Sequence, residues 1–78
     1  MEALKASAAK VVGSRQVLRA IRNGNLKCVY VAEDTDTFLF QRITQSAEAA
    51  GIAVKRVRTM AELGKACGVQ VDTAAAGI

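Results

Sequence analysis

Leu26-Lys27-Cys28-Val29-Tyr30-Val31-Ala32 is the stretch that decides the fold. It is rich in β-branched residues and almost continuously apolar, without the polar alternation of a strand that has one face in water. It therefore reads as a strand covered on both faces. Covering both faces takes a helix layer on each side of a sheet, and the flanking sequence supplies the helices. Downstream, Glu33-Asp34-Thr35-Asp36 is a polar turn in which Asp34 or Asp36 can cap a following helix. That helix carries Leu39, Ile43, Ala47 and Ala50 at helical spacing and ends at Gly51. Ile52 to Val57 reads as a second strand. Thr59 and Glu62 form a T-x-x-E capping box for a short helix closed by Gly68. Val69-Gln70-Val71 then leads through Asp72-Thr73 into a small-residue strand, Ala74 to Ile78. Upstream, Asn23-Gly24-Asn25 stops a helix over Arg15 to Arg22, and Ser14 is placed to cap it. Lys10-Val11-Val12 is a short extended run ending at Gly13, preceded by a helix from Ala3 to about Ala9 with Leu4 and Ala8 on one face. The pattern predicts an α/β fold, a three-layer α/β/α sandwich with a mixed four-stranded sheet.

The chain has 78 residues, 51% of them hydrophobic. That suffices for one domain over residues 1–78, without a deep substrate cavity as well. No apolar run is long enough to span a bilayer, and the first residues lack the hydrophobic centre of a signal peptide, so a cytoplasmic protein with no membrane partner is the expectation. The G-x-G-x-x-G and Walker fingerprints are absent. Cys28 and Cys67 are far apart and histidine is absent, which argues against a metal site; both cysteines read as small hydrophobes. No cofactor is implied.

The formal net charge is +4, with eleven lysines and arginines against seven acids. Lys5, Lys10, Arg15, Arg19, Arg22 and Lys27 lie in the first third and Lys55, Arg56, Arg58 and Lys65 in the last. The middle holds Glu33, Asp34, Asp36 and Glu48 against Arg42 alone. If the basic ends meet, they form one surface of the kind nucleic acids bind. Within the first third, Gly13-Ser14-Arg15-Gln16-Val17-Leu18-Arg19 starts a helix whose first-turn N–H groups and dipole make an anion site. Arg15, Arg19 and Arg22 are spaced along one side, with Val17, Leu18 and Ile21 opposite. Such a face suits phosphates or guanine edges.

Two blocks, in this order, carry a family resemblance. Gly13-Ser14-Arg15-Gln16-x-x-Arg19 resembles one block of the kink-turn RNA-binding family of small ribosomal proteins, the archaeal L-seven-Ae and eukaryotic L-thirty type. Leu63-Gly64-Lys65-Ala66-Cys67-Gly68-Val69-x-Val71 resembles its second block, and Val29 to Asp34 its central strand and acidic turn. Among the family, the chain resembles the short bacterial members. The resemblance implies a non-catalytic protein that recognises kink-turns, in which tandem sheared G·A pairs adjoin a bulge. Ribosomal RNA, a riboswitch or another structured RNA would be the partner, and a monomer would bind it. Gly13, Ser14, Arg15 and Gln16 would enter the widened major groove at the G·A pairs, with Gln16 on a guanine edge and Arg15, Arg19 and Arg22 on guanine or phosphate. Gly68, Val69, Gln70 and Val71 would cover the bases turned out of the bulge. Relatives usually carry Asn-Glu where this chain has Arg15-Gln16, and an amide cannot accept two bonds from a guanine edge as a carboxylate can.

Plainer readings stand beside these. Gly13-Ser14 also reads as a helix cap alone, the arginine stripe as a solvated face, Val69 and Val71 as strand residues, and Lys55 to Arg58 as charges guarding a sheet edge. An adaptor that shares the fold and binds a protein or other ligand is the alternative function. A cysteine-nucleophile enzyme is the weakest, since no histidine base exists.

Overall fold

In the computed structural model, which describes residues 1–78, the chain runs α1 (Glu2–Ala6), β1 (Val11–Val12), α2 (Ser14–Arg22), β2 (Cys28–Ala32), α3 (Thr37–Ala49), β3 (Ala53–Val57), α4 (Met60–Cys67) and β4 (Ala75–Gly77). The strands form one sheet in the order β1-β4-β2-β3. β2 pairs with β3 in parallel and with β4 antiparallel, and β4 pairs antiparallel with β1. The sheet is thus mixed and four-stranded, as the pattern predicts. Of the run Leu26 to Ala32 read as covered on both sides, Val29 to Ala32 meet the reading residue by residue, whereas Lys27 is exposed and Cys28 half-buried. Val29, Val31 and Ala75 enter a core with Val17 and Ile21 of α2 and Ile43 and Ala47 of α3. Tyr30, Ala32 and Ala76 enter a second core with Leu4 of α1 and Leu63, Ala66 and Cys67 of α4. The alternation of strand side chains divides one apolar run between two helix layers.

β4 is small for the same reason. It lies inside the sheet, and a Cβ at Gly77 would come within 2.6 Å of the Leu26 side chain. The ladder continues slightly past the strand, because Ile78 exchanges both backbone bonds with Cys28 and the Ala32 N–H donates to Ala74.

Two boundaries and one buried face differ most from expectation. α1 ends at Ala6, and Ser7 turns extended and accepts a bond from the Ala9 N–H at 3.3 Å. Ala8 is consequently exposed, while Leu4 is fully buried. β2 begins at Cys28, since Leu26 turns inward to cover Gly77. Leu18 is half-buried, and Val17, Ala20 and Ile21 form the buried face of α2.

β1, β2 and β3 all point the same way. The helices that follow them, α2, α3 and α4, therefore all begin at one end of the sheet. The chain returns from α4 into β4 at that same end. No helix is long and apolar enough to cross a membrane.

Candidate functional site

Gly13 makes the turn from β1 into α2 at φ +106°, a backbone region that side chains rarely allow. It, and not Ser14, is the N-cap. The turn is complete before Ser14, which is already helical, so its hydroxyl makes no capping bond. The Gln16 side chain folds back over the glycine, where a Cβ would lie 2.6 Å from Gln16 Oε1. The N–H groups of Ser14, Arg15 and Gln16 donate to no protein atom. The other two long helices differ. Asp36 Oδ2 accepts the Leu39 N–H at 3.0 Å at the start of α3. At the start of α4, Thr59 Oγ1 accepts the Glu62 N–H at 3.1 Å and Asp34 Oδ1 accepts the Met60 N–H at 2.8 Å. The acidic turn is thus used in capping, and α2 alone of the three keeps the positive end of its dipole open.

The second segment is held from below. Gly68 ends α4 in the left-handed conformation at φ +77°. The Val69 N–H then donates to the Gly64 carbonyl at 3.1 Å, and the Thr73 N–H to the Met60 carbonyl at 3.0 Å. Between these ties the loop lies flush on α4, so close that a Cβ at Gly64 would clash with the Val71 carbonyl oxygen. Val69 packs on the second core, and Gln70 and Val71 are exposed, Val71 by 70%. Of the two valines, one serves the core and the other stands in solvent.

The Gly13 N–H donates to the Ala75 carbonyl at 2.9 Å. That bond ties the start of α2 to the strand entered by the 68–73 loop. The loop climbs along α4 from Gly68, past Gly64, to Thr73 beside Met60, and so enters β4 at the end of the sheet where α2 begins.

Arg15, Arg19 and Arg22 are exposed and lie along a groove of about 400 Å³ between α2 and α3, lined also by Ser14, Leu18, Leu39 and Arg42. Arg42 escaped the sequence reading, where it stood as the one cation of an acidic middle. Its signal was the Leu39–Arg42 spacing on α3, which has meaning only once α3 is known to lie beside α2. Phe38, 82% exposed, shares the Arg42 side of α3 one turn earlier. The basic last third does not join this groove. Lys55 and Arg56 sit on β3, the edge strand opposite β1. There Lys55 Nζ is 6.0 Å from the Tyr30 ring centre, and Arg56 lies 5.5 Å from that of Phe40 and 3.9 Å from Glu33.

Both cysteines are free. Burial pushes the Cys67 thiol above its ordinary pKa, with Lys10 offsetting part of the rise. Burial likewise raises the Tyr30 hydroxyl, assisted by Cys28. No group of three cysteine, aspartate or glutamate side chains is placed to hold a metal ion.

A model of the Ribosomal protein L7Ae/L30e/S12e/Gadd45 family matches residues 1–78. The chain is 41% identical over 68 residues to the RNA-binding protein YbxF of Geobacillus stearothermophilus, covering 87% of this chain and 83% of that one. It is 37% identical over 67 residues to the large ribosomal subunit protein eL8 of Halobacterium salinarum, covering 85% of this chain but 56% of the longer relative. In fold it is similar to the Giardia lamblia 15.5kD RNA binding protein, with a TM-score of 0.87 at 24% identity over 99% of this chain and 65% of that one.

Proposed function

The chain belongs to the ribosomal protein L7Ae/L30e/S12e/Gadd45 family, and we propose that it is a non-catalytic RNA-binding protein that recognises the kink-turn and holds it in its bent form. What supports this reading above all is the Gly13–Ala75 bond, which ties the start of α2 to the strand that follows the second block, so that the loop after that block enters the sheet at the end where α2 begins. Three free N–H groups at the start of α2 and a row of arginines suit the phosphates crowded at a sharp bend. The Gln16 amide, folded over Gly13, is within reach of a base edge brought to the helix start. Val71 offers an apolar surface to a base turned out of the stack, the form in which RNA is most readily read. The contacts exist only with the kinked conformer, so binding selects it. One protein binds one kink-turn.

Gel shift with a kink-turn RNA, and with the same RNA after its G·A pairs are replaced by Watson–Crick pairs, tests the reading. The first RNA is expected to bind and the second to lose specific binding. Gln16→Ala is expected to cost about 1–3 kcal/mol and to narrow the difference between the two RNAs. Equal affinity of the unaltered protein for both would reduce the interaction to charge attraction.

A further inference from the structure

The groove between α2 and α3 has more cationic charge than the two-block site uses. Arg15, Arg19, Arg22 and Arg42 all line it, all are exposed, and none pairs with a carboxylate; the one ion pair in the structure joins Arg56 to Glu33. α2 contains no acidic residue, and the only one on α3, Glu48, lies six residues beyond Arg42. Like charges gathered without counter-charge repel one another, and a polyanion relieves that repulsion. Half-buried Leu18 and Leu39 give the arginine stems an apolar floor and leave the guanidinium heads at the rim. From Arg15 to Arg22 the groove follows α2 for about 10 Å, longer than a single phosphate group. It also begins at Ser14 and Arg15, beside Gln16. A duplex that presents a base edge to Gln16 can therefore continue down it.

We propose that this groove is a phosphate channel for one of the two stems flanking the kink, and that Arg42 on α3 is an RNA-contacting residue within it. The proposal rests on the RNA-binding reading above and adds a second helix to the contact surface. Guanidinium forks match phosphate oxygens bidentately. Because all four heads are exposed and do not close around an enclosed cavity, the arrangement suits a polymer backbone rather than a small free anion.

The test measures affinity against salt concentration for the full chain, Arg42→Gln and Arg42→Lys. The RNAs are a kink-turn with two full stems, two versions in which one stem or the other is cut back towards the kink, and the Watson–Crick control. On the full RNA, Arg42→Gln is expected to weaken binding about 3–10-fold and to make the salt dependence shallower by about one unit of slope. Its preference for the kink-turn over the control should be unchanged, and Arg42→Lys should restore most of the affinity. The loss should vanish when one particular stem is shortened. The channel is overturned if Arg42→Gln binds the full RNA as tightly as the unaltered protein. It is also overturned if the loss persists whichever stem is cut. Failure of the unaltered protein to prefer the kink-turn would instead refute the underlying reading, whatever Arg42 does.

Discussion

At Gly64 the fold and the candidate site depend on the same missing methyl group. The Val71 carbonyl occupies the space a side chain would take, so the loop rests on α4 with its tip exposed. Gly64→Ala must push the loop outward or distort the helix. It is expected to cost about 1–3 kcal/mol in urea unfolding, in the range of other overpacked sites. Loss of RNA affinity should accompany it, because Val71 would be displaced. An unchanged urea midpoint would show that the loop moves freely. The sequence reading identified Gly13 and Gly68 as breaks in the chain, since glycine between regular segments is a local signal. It could not separate the close approach at Gly64 from ordinary helix packing, because the atom that requires it belongs to a loop folded back over the helix.

Among the elements, the division of labour between helix starts is the informative feature. Asp36 caps α3 from three residues away, a spacing legible in the sequence. Asp34 reaches across the molecule to the start of α4, 26 residues on, and only the parallel pairing of β2 with β3 brings it there. Thr59 performs its predicted half of the capping box at the same helix. Asp34→Ala is therefore expected to destabilise the protein by about 0.5–2 kcal/mol, as removal of a local cap does. Combined with Thr59→Ala in thermal or urea unfolding, the two losses should not add, because both serve one helix turn. Strict additivity would contradict a shared role. The order of elements and the double-sided cover of β2 were legible because periodicity and β-branched runs report burial directly. Arg42 was not, because membership of the groove depends on which helices become neighbours.

At the scale of the whole molecule, the second core carries a pH dependence. In the folded protein Cys67 and Tyr30 hold their protons above the pH at which the unfolded chain releases them. Between the ordinary and the raised pKa of each group, the native state binds more protons than the unfolded state, so rising pH favours unfolding. Their contribution is complete below about pH 9, the ordinary thiol value, and is lost as pH climbs through the folded-state values. Urea midpoints measured from neutral pH upward should be level at first and then fall. Cys67→Ala should delay the fall towards the tyrosine range, and alkylation of Cys67 in the folded protein should be slow at neutral pH. A midpoint independent of pH through the alkaline range would contradict the burial of both groups. The same view of the molecule corrects the reading of charge. Of the basic last third, Lys55 and Arg56 lie on the β3 edge, where they also guard exposed backbone against pairing, and Lys65 lies on α4. The groove draws its positive field from the first third and from Arg42.

Backbone amide chemical shifts of the full chain, recorded during titration with a kink-turn RNA, test the central claim most directly. The account predicts that the large changes fall at Gly13 to Arg19 and at Gly68 to Val71, with Ala53 to Arg58 at the far edge unaffected. Changes centred on Lys55 to Arg58, or confined to one of the two segments, would contradict it.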